Sequence, residues 1–189
     1  MARGSTAMKQ GLWAAIALLA SVGLARAEFP APGTVLAEIT VDVTGDGTPD
    51  TARLVVGTDA DAVLVLDTGQ RRVTAPKIAW LGGPAPGPSL EATSAGSLQV
   101  VTGNDSIGRE RWSQTLTLAW RDDDLLLAGF TYGWRDTLDA ANTGRCDVNL
   151  LTGRGVLTVN GQETAITQPP DRLPVTLWDG QPPRSCGLD

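Results

Sequence analysis

Histidine is absent from all 189 residues, which removes the commonest general base and the commonest metal-binding side chain together. A Ser-His-Asp or Cys-His catalytic set therefore cannot be assembled. Zinc is equally poorly served, because Cys146 and Cys186 are the only cysteines and stand far apart. No phosphate-cradling glycine loop or dinucleotide fingerprint occurs. Helical periodicity is missing too, and after the first 27 residues no apolar run approaches the roughly 20 residues of a membrane span. Basic residues are outnumbered by acidic ones, 15 to 21, for a net charge of -6. Such a surface repels nucleic acid and anionic lipid and favours cations or neutral partners.

What is present begins with a leader. Arg3 and Lys9 precede the apolar run "GLWAAIALLASVGLA", and "ARA" at 25–27 places small residues where a signal peptidase reads them. Residues 1–27 thus read as a signal peptide, with export to the periplasm or beyond as the expectation. Loss of Arg3, Lys9 and Arg26 would take the net charge from -6 to -9, three cations fewer. No cysteine stands at the cleavage point to take a lipid anchor. Residues 28–189 suffice for one domain with its own core.

Period-two alternation runs through that domain. In "RWSQTLTLAW" Trp112, Leu116, Leu118 and Trp120 share one face, while Arg111, Ser113, Thr115 and Thr117 share the other. "RDDD" at 121–124 reads as a turn, and "LLLAGFTYGW" returns with Leu126, Phe130, Tyr132 and Trp134 on a common face. Asn160-Gly161 marks another hairpin. About ten short strands are expected, giving an all-β domain: an antiparallel meander or two-sheet sandwich, with one propeller-like blade at its N-terminus. A closed propeller needs more strands than this length supplies. The end, "QPPRSCGLD", is proline-rich and short of apolar residues. Trp112, Trp120 and Trp134 fall in phase with aliphatic neighbours, as core residues do. Trp80 and Trp178 lie beside loops and are the candidates for a binding face.

The stretch "DVTGDGTPD", 42–50, carries most of the chemistry. Calcium takes six to eight oxygens from carboxylates and carbonyls on a tightly wound chain. Asp42, Thr44, Asp46, the Thr48 carbonyl and Asp50 alternate along one loop, and Gly45 and Gly47 permit the winding. The other reading is a solvated turn rich in Asp and Gly. With its following strand, "DVTGDGTPDTARLVV" resembles the calcium loop of FG-GAP and VCBS-type repeats, found in integrin α-subunit propellers and many bacterial exported proteins. The resemblance spans residues 40–70 and implies calcium held by Asp42, Thr44, Asp46, Asp50 and a backbone oxygen of Thr48. Thr44 stands where those repeats have Asn or Asp, and the loop occurs once. Arg53 occupies the place of an EF-hand's bidentate Glu, which excludes a helix-loop-helix calcium sensor.

In an oxidising compartment two cysteines usually pair, so Cys146 and Cys186 are expected to form a disulfide that fastens the tail. A reactive thiol lacks any histidine to activate it. Asp105, Asp136 and Asp139 could supply the two carboxylates of a glycan hydrolase, or be solvated turn residues. Arg109, Glu110 and Arg111 read as an anion site or as charges guarding a strand edge. These features point to a calcium-binding module with a protein or glycan partner. A two-carboxylate hydrolase acting on glycan or cell-envelope material is the alternative.

Overall fold

The computed structural model describes Met1, residues 30–82 and residues 87–188. The leader, apart from Met1, lies outside the described residues. Among the described residues eleven strands follow one another as two antiparallel meanders. The first sheet is β1 (Val35–Val41), β2 (Asp50–Val56), β3 (Asp61–Asp67) and β4 (Arg72–Trp80), hydrogen-bonded in chain order. The second is β5 (Ser89–Ala92), β6 (Leu98–Asn104), β7 (Glu110–Arg121), β8 (Asp124–Asp136), β9 (Thr143–Asn149), β10 (Arg154–Val159) and β11 (Gln162–Thr167), again in chain order. The protein is all-β, and neither sheet closes into a barrel or propeller.

Alternation explains how the two sheets meet. Every second residue of β2 and β3 is buried, Ala52, Leu54 and Val56 on one, Ala62, Leu64 and Leu66 on the other. All of these except Val56 join Leu98, Val100, Leu116, Leu118 and Phe130 of the larger sheet in one continuous core. β2 and β3 each bury only one face, so the second meander is what removes that face from water.

The C-terminal segment completes the cover. Two 3-10 turns, Val175–Leu177 and Arg184–Cys186, bring Val175, Trp178 and Cys186 into the core. Cys186 bonds to Cys146 on β9, with Cα atoms 5.6 Å apart. Leu127 N–H donates to Leu173 O at 2.9 Å, so the segment also takes the edge of β8 where β9 has ended. The proline-rich end is packed against the body.

Turn chemistry matches its sequence signals. Asn160 and Gly161 both have positive φ, 51° and 78°, the conformation of a tight two-residue hairpin. Asp122 and Asp123 do the same between β7 and β8, at 50° and 61°. Those tip aspartates are more than a solvated turn: Arg172 pairs with Asp122, and Arg71 reaches Asp124 at 3.1 Å.

Three expectations need correction. A bulge pairs Thr117 with Gly129 but Leu118 with Leu127, skipping Ala128. An extra residue reverses the alternation beyond it, so Leu125 and Leu127 join Phe130 in the core and Leu126 does not. Trp112 and Trp134 are half-buried at the end of the sheet and lie outside the core cluster, whereas Trp120 packs against it. Finally, Arg109, Glu110 and Arg111 lie at the β6–β7 hairpin end of an interior strand rather than along a sheet edge: Glu110 and Arg111 pair with β8 just past the last β6 pairing at Trp112, and Arg109 engages Asp136.

Candidate functional site

The 42–49 loop joins β1 to β2, and Asp50 opens β2 opposite Val41. Gly45 and Gly47 have φ of 79° and 85°, which a side chain would strain. The wound backbone turns its N–H groups onto two carboxylates. Asp42 Oδ1 accepts from Gly45 N–H at 2.6 Å and from the Thr44 hydroxyl at 3.3 Å. Its Oδ2 accepts from Gly47 N–H at 2.8 Å. The Gly47 bond is the main reason the Asp42 carboxyl lies below its ordinary 3.8.

Asp50 holds the loop from beneath. Its Oδ2 accepts from Val43 N–H at 2.7 Å and Thr44 N–H at 3.0 Å. The residue is 1 % exposed, and its Oδ1 is buried with no hydrogen-bond partner. A carboxylate oxygen out of water without a donor costs roughly 1–3 kcal/mol, and more when charged. Asp46, by contrast, is exposed and accepts only from Thr48 N–H, at 2.7 Å. Gly96, in the turn between β5 and β6, has a φ of 76° that a side chain would strain, and a Cβ there would meet the Asp42 carbonyl at 3.1 Å, a tight contact.

The donor chemistry fits a hard cation. Asp50 Oδ1 is uncommitted, Asp42 keeps lone pairs beyond its accepted bonds, and Asp46 Oδ2 and the Thr48 carbonyl border the same turn. No group of three or more His, Cys, Asp or Glu side chains gathers closely enough to hold a metal among the described residues. A cation here would therefore draw much of its six to eight oxygens from backbone and water, which belongs to weak sites.

The tryptophans put forward as a binding face separate. Trp80 is half-buried and its ring lies 5.6 Å from that of Trp112. Trp178 is 5 % exposed and packs 6.1 Å from Phe130. Between them the rings of Trp112, Tyr132 and Phe130 follow in sequence at 5.9 and 6.3 Å. Trp178 thus contributes to the core, and the half-exposed aromatic surface is that of Trp80, Trp112 and Trp134.

The aspartates considered for hydrolysis are each engaged elsewhere. Asp105 pairs with Arg135. Asp136, its side chain 2 % exposed, takes Arg109 Nε at 2.7 Å and Leu138 N–H at 2.8 Å. The Arg109 guanidinium holds the Asp136 carboxyl below its ordinary value, the opposite of what a general acid requires. Asp139 is exposed and accepts from Ala141 N–H at 3.0 Å, within its own loop.

Arg111, Arg135 and Arg145 are brought together across three strands, although no local pattern in the chain links them. Comparison with protein-family models, with curated proteins and with solved structures gave no match.

Proposed function

We propose that the chain is an exported β-domain whose 42–50 loop binds one calcium ion, and that it works as a binding or structural module in the periplasm or outside the cell. The observation that carries this reading is Asp50: a carboxylate 1 % exposed, one oxygen serving two loop N–H groups and the other without a partner. A cation supplies what that oxygen lacks. Binding would require the Asp42, Asp46 and Asp50 carboxylates, which are not gathered around one point in this structure, to close on the ion with the Thr44 hydroxyl and the Thr48 carbonyl. The resemblance to FG-GAP and VCBS-type loops supports the same ligands.

Calcium in such a site stabilises rather than reacts. Bound to the folded form alone, it adds about 2.7 kcal/mol at a hundredfold excess over the dissociation constant. Export is supported by the leader at 1–27 and by the Cys146–Cys186 bond, which persists in oxidising compartments. No helix of the described residues is long and apolar enough to cross a membrane. Asp105 and Asp136, each paired with an arginine, and Asp139, exposed in its own loop, lend the hydrolase no support.

Thermal melts in chelator and in 10 mM calcium test the proposal. The expected rise is roughly 5–10 °C, with a much smaller effect of magnesium, which sheds its waters reluctantly. Asp46→Ala should abolish the rise while leaving the chelated protein near parental stability, because Asp46 makes one exposed turn bond. Identical melts in chelator and calcium would leave the loop as a turn only.

A further inference from the structure

We propose that the outer face of the seven-stranded sheet binds a compact oxyanion group, a carboxylate, sulfate or phosphate, between Arg111, Arg135 and Arg145. The site is a groove of about 690 Å³. Its floor is a row of small residues, Gly103 opposite Ser113 and Ser113 opposite Gly133, ending on Arg145 opposite Gly133. In the next row on that face Arg111 stands directly opposite Arg135. The small residues keep the space open: a Cβ at Gly133 would meet the Ser113 hydroxyl at 3.4 Å.

Two independent features ask for an anion. Like charges directly opposite each other on a sheet repel, and Arg111 and Arg135 are such a pair. Asp105 compensates Arg135, and Asp147 engages Arg145 at 3.0 Å. Arg111 has no ion pair among the described residues, and its Nη1 is buried without a hydrogen-bond partner. A guanidinium donor withdrawn from water and left unpaired is costly. An oxyanion between the arginines relieves the first directly and the second once the Arg111 guanidinium turns its Nη1 into the groove, since the guanidinium fork matches carboxylate, sulfate and phosphate oxygens. The surrounding acidity selects a single small charged group over a polyanion, because the chain as a whole carries -6. The proposal needs no calcium in the 42–50 loop.

The test is an NMR titration at constant ionic strength, following the Arg111 side-chain Nε–H and the amides of residues 103, 113 and 133. The probes are inorganic phosphate, sulfate, galacturonate and, as the neutral counterpart of the last, galactose. Saturable shifts with an oxyanion, and none with galactose, are expected. Arg111→Met should weaken binding at least tenfold, Gly133→Val should do so by filling the groove, and Arg121→Met, at the far end of β7, should leave it unchanged. Galacturonate tighter than the inorganic ions by tenfold or more would identify an acidic sugar as the source. Equal affinities would identify a free anion. Absence of saturable shifts, or shifts that survive both groove variants, would overturn the proposal.

Discussion

Replacing both cysteines of the Cys146–Cys186 bridge by alanine isolates what the tail attachment contributes. The bridge closes a sequence separation of 40 residues. Chain entropy for a loop of that length corresponds to about 4 kcal/mol of destabilisation on removal. Melting temperature should fall on the order of 10 °C for a domain of this size. The tail keeps other anchors: Val175 is fully buried, Trp178 is 5 % exposed, and Leu173 O accepts from Leu127 N–H at 2.9 Å. The double variant should therefore still fold, with a lower urea midpoint and a somewhat steeper slope, because the denatured chain is less compact without the bridge. Amide exchange should accelerate most in residues 179–188, beyond those anchors. A loss below about 1 kcal/mol, or exchange that accelerates evenly over both sheets, would refute the entropic argument.

Gly144→Ala should cost about 1–3 kcal/mol, because its Cβ would meet Thr158 O at 2.7 Å and run into the Trp134 ring; urea melts and tryptophan emission check this. Acid stability has a predictable shape. The Asp42, Asp67 and Asp136 carboxyls all lie below their ordinary 3.8, held by the Gly47 bond, the Arg72 bond and the Arg109 bond respectively. A depressed folded-state value contributes stability above the unfolded value, and that contribution is lost as pH falls through the folded one. Stability should accordingly drop below about pH 4 and, with no histidine to titrate, stay nearly flat from about pH 5 to 8. Melts across that range check both statements, and a steep change near neutrality would contradict them.

Much of the architecture was legible because burial on one face of an antiparallel strand writes itself as alternation. The β7–β8 hairpin, its aspartate tip and the Asn160-Gly161 turn are all local patterns, and the two meanders follow from hairpins in series. The four-residue β5 is not legible in the sequence, since four residues after a proline-rich loop carry too little periodicity. Alternation alone puts Leu126 on the face of Phe130, because a bulge leaves no mark in the alternation itself. Trp178 illustrates a second limit. A tryptophan beside prolines and glycine looks exposed until the chain folds back and Phe130 covers it. The arginine groove is a third: Arg111, Arg135 and Arg145 meet only through register across β7, β8 and β9, and nothing within one strand announces that. Around the loop, the alternating oxygens could be read from the residues. The buried, half-satisfied state of Asp50 needed the strand beneath it.

Equilibrium dialysis against calcium at neutral pH and physiological ionic strength tests the cation reading most directly, because it counts ions rather than their consequences. One ion per chain is predicted, with a dissociation constant in the weak range of extracellular modules, roughly 0.1–1 mM, and with binding lost in Asp46→Ala. No calcium bound above the buffer concentration at 10 mM free ion, or equal binding by Asp46→Ala, would contradict it.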